Sequence, residues 1–203
     1  MRLTVIGSTG QTGRHVVAEA MSRGHAVTAA TRRPEALEHR DAVTVVHADG
    51  RDPLAMRGAV SGADAVIAIV AARSPRGPHH MADVARSLVG AMSDAGVRRL
   101  VVTSAYPIVG DRPRVPMALL RLIFAANYAD ARAMEHVVTA SDLQWTIARL
   151  NRLTNGPATR DTRLTTDLLG RPWAIPRADA AAVLVDLAED GEYARTAVNV
   201  AGR

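Results

Sequence analysis

The chain has 203 residues, 48% hydrophobic and 22% charged, which suits one well-packed domain over residues 1–203 and argues against disorder. It has no cysteine, so disulfides, thiolate metal sites, iron–sulfur clusters and a cysteine nucleophile are excluded, and a reducing cytoplasm fits. All 25 basic residues are arginine, which rules out a P-loop lysine, Schiff-base chemistry and a Tyr-x-x-x-Lys dyad.

Short apolar runs alternate with amphipathic stretches along the whole chain. Leu3 to Ile6 predicts a strand, and Gly13 to Arg23 a helix that Gly24 stops. Strands follow at His25 to Thr31 and Val43 to His47, then a short helix to Val60 with Asp52 as cap and Pro53 as first residue. Asp64 to Ala71 reads as a strand buried on both faces. Met81 to Ala95 is helical, Arg98 to Ser104 a fifth strand, Asp130 to Ala140 a helix and Gln144 to Arg149 a sixth strand. A last helix, Arg177 to Ala188, precedes a strand at Ala197 to Ala201. Such repetition implies an α/β, doubly wound parallel sheet with helices on both faces.

The apolar stretches Val66 to Ala72 and Val115 to Ala126 fall short of the ~20 residues of a membrane span. The opening run meets Gly7 too soon for a signal peptide. The net charge of +5 is dispersed among 20 acids, and 3% aromatics leaves few platforms for stacking bases. The expectation is a soluble, cytoplasmic protein with a small-molecule partner and neither nucleic acid nor membrane.

The strongest motif is Gly7-Ser8-Thr9-Gly10-Gln11-Thr12-Gly13, set between the first strand and the first helix. Gly7 suits a tight turn, Gly10 lets backbone approach a diphosphate, and Gly13 lets helix and strand pack closely. The helix start adds free N–H groups and its dipole, so the segment predicts a dinucleotide site. An NAD site usually carries an acid at the end of the second strand. Here that strand ends Ala30-Thr31-Arg32-Arg33. Two guanidinium forks suit a 2′-phosphate, which favours NADP(H); the alternative is a solvated surface pair.

Together with Ala48-Asp49, Thr103-Ser104-Ala105, and the run from Tyr128-Ala129-Asp130 through Glu135 to Arg149, the motif resembles the atypical short-chain dehydrogenase/reductases. The likeness is greatest to the NAD(P)H-binding, NmrA-like group that includes flavin reductases, and it covers nearly the whole chain. It implies a Rossmann fold with the cofactor against Asp49, Gly50, Val70, Ala71, Ala72, Arg73, Thr103 and Arg132. It also implies that Ser104 hydrogen-bonds the reacting group. Tyr128 would be a general acid, although the residue four on is Arg132 instead of lysine, and Tyr106 is a rival donor. For each of these three, a packing or capping role is the alternative. His79-His80 lacks companions at ligand spacing, so no metal is expected. The substrate cleft would draw on residues 105–127 and 150–176. The resemblance implies an NADPH-dependent oxidoreductase reducing a small conjugated acceptor such as a flavin or quinone; the alternative is a non-catalytic NADP(H)-binding redox sensor.

Overall fold

The computed structural model describes residues 1–70, 77, 80–110, 114–170 and 173–203, with backbone alone for 114–116. Its first strand, β1 (Arg2–Ile6), sends Leu3 and Val5 into one core and Ile6 into another on the opposite face. That alternation, with both faces apolar, is what a parallel strand between helices requires. It repeats in β2 (Ala26–Thr31), β4 (Ala65–Ala68) and β5 (Arg99–Ala105). The sheet also contains β3 (Thr44–His47), β6 (Gln144–Leu150), β8 (Thr162–Thr165) and β10 (Thr196–Gly202). In the described residues the order is β3–β2–β1–β4–β5–β6–β10–β8, parallel throughout except that β8 runs against β10.

Two helices, α1 (Gly13–Ser22) and α6 (Arg177–Glu189), cover one face. The other is covered by α2 (Pro53–Val60), α3 (Met81–Asp94) and α5 (Ala125–Thr139). The predicted boundaries have local causes. Asp52 caps α2 by accepting from the N–H groups of Leu54 (2.9 Å) and Ala55 (3.3 Å). Beyond α1, Gly24 N–H donates to Met21 and His25 N–H to Ala20, the paired bonds of a Schellman closure.

Four elements were not anticipated. A helix, α4 (Arg114–Ile123), occupies part of the apolar stretch that begins at Val115, and α5 starts before the expected Asp130. Pro116 falls in the first turn of α4, where no intrahelical N–H is needed. Short strands β7 (Leu153–Thr154) and β9 (Ile175–Pro176) pair as a separate two-stranded sheet, and β8 extends the edge of the main one. Among the described residues no helix is long and apolar enough to cross a membrane.

Candidate active site

Strand order reverses direction between β1 and β4, and a doubly wound sheet opens its ligand crevice at the carboxyl ends of such a pair. The glycine loop leaves β1 there. Gly7 has φ of +81°, and a Cβ on it would stand 2.5 Å from the carbonyl oxygen of Ile69. A Cβ on Gly13 would stand 2.1 Å from the Gly7 carbonyl oxygen, so the start of α1 lies directly on the loop backbone. Gly10 N–H donates to the same oxygen at 2.9 Å, leaving Gly10 exposed above it. Thr12 is the N-cap of α1 and makes no side-chain cap bond among the described residues. Gln11 beside it is exposed. The result is a tight backbone turn that leads straight into the N-terminus of α1, whose first-turn N–H groups and dipole suit a diphosphate. Ser8 Oγ donates to the Ala30 carbonyl (3.1 Å), and Thr9 Oγ1 lies 2.7 Å from Thr31 Oγ1, tying the loop to the end of β2.

Arg32 and Arg33 follow β2 directly, exposed, and no ion pair among the described residues engages either guanidinium. Asp49 sits beyond β3, where Arg51 binds it through Nη2 (2.8 Å), Nε (3.1 Å) and the backbone N–H (3.0 Å). The Arg51 guanidinium, seconded by the charge of Arg32, holds that carboxyl well below the usual carboxylate range. Asp49 thus carries a local turn role, and Arg51 adds a cation that sequence reasoning missed. The available signal was its place two residues after Asp49. Gly50 packs closely on α3, since a Cβ there would meet Val84 at 2.9 Å.

At the mouth of β5, Ser104 Oγ is buried with no hydrogen-bond partner among the described residues. Thr103 beside it is buried, its hydroxyl directed to the Ala68 carbonyl at 3.5 Å. Val70 is half-buried against the core beyond β4. Ala71, Ala72, Arg73 and His79 lie outside the described residues.

Tyr106 is not a proton donor for a ligand. It is fully buried, and its hydroxyl donates to the Leu169 carbonyl (3.0 Å) while accepting from the Leu169 N–H (2.9 Å). It pins the 150–176 segment to the turn after β5, with Gly110 against its ring. Tyr128 is half-buried on α5, its ring tilted against Phe124 at 6.1 Å. Burial pushes its hydroxyl above the ordinary value and Arg121 only partly opposes this, so it keeps its proton at neutral pH. The cation acting on Tyr128 is therefore Arg121, and Arg132 is exposed on the outer side of α5 while Ala131 fills the buried position. Asn127, next to Tyr128, is buried with its Oδ1 unpartnered among the described residues.

Two α5 carboxylates fix these groups. Glu135 makes a bidentate, largely buried bond to Arg149 (2.6 and 3.0 Å), and Arg149 lies beside Ser104 in the β5–β6 register. Asp130 accepts from the N–H groups of Met81 (2.8 Å) and Ala82 (3.2 Å), closing the start of α3 from outside.

Asp179 organises the far wall. Buried in the first turn of α6, it accepts from the Thr159 N–H and hydroxyl and the Arg160 N–H, so the segment after β7 is held to the helix. Burial raises its pKa, but those hydrogen bonds prevail and the net direction is down. A depressed carboxylate stabilises fully above the ordinary aspartate pKa of about 3.9 and loses its contribution as pH falls through the lower folded value. Urea unfolding should therefore show stability dropping below about pH 4 in the wild type. Asp179→Asn should have the shallower slope there and lose about 1–3 kcal/mol at neutral pH.

A groove of about 580 Å³ between α2 and α3 holds Arg51, Arg57 and Arg86, each already matched by Asp49, Asp94 or Asp83. Its charges are satisfied within the chain. Among the described residues no three His, Asp or Glu side chains gather as metal ligands.

A mostly parallel sheet with this order and a glycine cradle at its switch point define a dinucleotide-binding Rossmann protein. The sequence pattern of the NAD(P)H-binding family matches residues 7–191, and the chain belongs to that family. Curated relatives include the uncharacterized protein Rv2047c of Mycobacterium tuberculosis and its Mycobacterium bovis counterpart Mb2073c. Each is 35% identical over 120 residues, 59% of this chain and 13% of the relative's own length. Three solved structures show the same fold. The oxidoreductase ylbE of Lactococcus lactis has a TM-score of 0.84 at 19% identity, covering 100% of this chain and 91% of its own. A wide-type short-chain dehydrogenase/reductase of Veillonella parvula in complex with NADP scores 0.82 at 23% identity, covering 98% and 94%. ChuY, an anaerobilin reductase of Escherichia coli O157:H7, scores 0.81 at 19% identity, covering 100% and 97%.

Proposed function

We propose that the protein is an NADPH-dependent oxidoreductase that reduces a small conjugated acceptor such as a flavin or quinone. The observation that carries this reading is the buried Ser104 hydroxyl, unpartnered among the described residues, at the carboxyl end of β5, the same edge of the parallel sheet as the glycine loop after β1. A buried hydroxyl without a partner costs free energy, and a ligand atom that accepts its proton removes that cost. When bound, the dinucleotide supplies the hydride. The chain's own residues orient and polarise. Ser104 donates to the acceptor, and Tyr128, which keeps its proton, is a second donor. Among the described residues no activated base bonds to either hydroxyl, which favours a conjugated acceptor over an alcohol. Arg32 and Arg33 supply the cations for a 2′-phosphate, with the Veillonella likeness in support.

Consumption of NADPH with a panel of flavins and quinones tests the reading. Ser104→Ala should cut turnover about 10- to 100-fold while leaving NADPH affinity within about twofold. Arg32→Glu should weaken NADPH at least about tenfold more than NADH, and equal losses would remove the NADP(H) assignment. One observation favours a second reading, a sensor that binds NADP(H) without turnover. The residue four after Tyr128 on α5 is Arg132, exposed and effectively never deprotonated, so no lysine stands with the tyrosine. Tight binding with no turnover on any acceptor would select the sensor.

A further inference from the structure

We infer that Thr31, which lies beneath the site, sets the preference for a 2′-phosphorylated dinucleotide by holding the glycine loop and the arginine pair in one register. The inference rests on the NADP(H) reading above. Thr31 is the last residue of β2 and is only 5% exposed, so it is a positioning residue.

Its backbone is already committed, because its carbonyl accepts from Ala48 N–H at 2.9 Å. Its hydroxyl is free to do something else. It accepts from the Arg33 N–H at 3.1 Å and lies 2.7 Å from the Thr9 hydroxyl. A hydroxyl has one proton and two lone pairs, so either threonine can be the donor across that contact. In either sense the bonds run without a break from the Arg33 backbone through Thr31 to Thr9 in the glycine loop, and such chains strengthen one another. Neighbouring bonds converge on the same joint: the Ala30 carbonyl accepts from Gly7 N–H (3.1 Å) and from Ser8 Oγ (3.1 Å).

Two anionic groups of one ligand, the diphosphate and the 2′-phosphate, stand a fixed distance apart. The loop that takes the first and the arginines that take the second must keep that spacing, because a guanidinium fork loses its paired bonds when misplaced. Thr31 is the side chain that bonds to both. A residue that served packing alone would lower thermal stability and weaken both dinucleotides alike.

The test is direct binding of NADPH and NADH to the full chain carrying Thr31→Val, Thr31→Ala or Thr31→Ser, with thermal unfolding as a control. Thr31→Val keeps the shape and removes the hydroxyl, and Thr31→Ala does the same if the valine variant does not fold. The wild type should prefer NADPH. Loss of the hydroxyl should reduce the NADPH-to-NADH affinity ratio about tenfold, and Thr31→Ser should keep it within about twofold. A wild-type preference that survives both hydroxyl-free variants, or equal losses for the two dinucleotides, overturns the inference and leaves the NADP(H) reading standing. A wild type without preference overturns that reading and the inference together.

Discussion

Gly13→Ala should abolish dinucleotide binding. The added Cβ would lie 2.1 Å from the Gly7 carbonyl oxygen and 2.9 Å from its carbon, and both are backbone atoms that no rotamer change can move. Relief requires α1 to retreat from the loop, which shifts the first-turn N–H groups away from the place where an anion would sit. Overpacking of this kind costs about 1–3 kcal/mol in stability, so a folded but weakened protein is expected. Anion recognition suffers more, because aligned backbone donors lose their bonds together. Calorimetric titration with each pyridine dinucleotide should show at least about a hundredfold loss, and wild-type affinity in this variant would dismiss the cradle.

Removing the Glu135 carboxylate should be the most costly single change to stability outside the loop. Its side chain is 12% exposed and that of Arg149 19%, so Glu135→Ala strands a guanidinium away from water. Breaking such a pair costs about 3–5 kcal/mol, whereas replacing both partners by apolar side chains of similar volume is near neutral. Urea unfolding should accordingly place Glu135→Leu with Arg149→Met well above Glu135→Ala. Because Arg149 sits beside Ser104 across the β5–β6 pairing, any turnover retained by Glu135→Ala should fall as well.

The parallel strands, their order-setting glycine loop and the helices with strong caps were legible because each obeys a local rule. Asp52-Pro53 opens a helix, Gly24 closes one, and a strand such as β4 with four buried residues can only belong to a covered sheet. What escaped had no local rule. The helix α4 begins among prolines and leaves Leu119, Leu122 and Ile123 more than half exposed, so its apolar residues do not trace an inward stripe. Strands β7, β8 and β9 are too short for a period to register and exist through their partners. At the site, Ser104 stood where the β5 pattern placed it, but the fate of a tyrosine hydroxyl depends on what crosses it. Tyr106 is met by Leu169, 63 residues away in the chain, and no spacing rule announces that.

Asp130 gives the architecture a further property. A helix usually draws its N-terminal closure from the residue at its own start, yet α3 draws it from α5, and His80 at its N-cap makes no side-chain capping bond. The footing of α3 is thus independent of the wording of the connection that precedes it. That connection can change in length or composition without unravelling the helix, so its sequence can diverge on an unaltered scaffold.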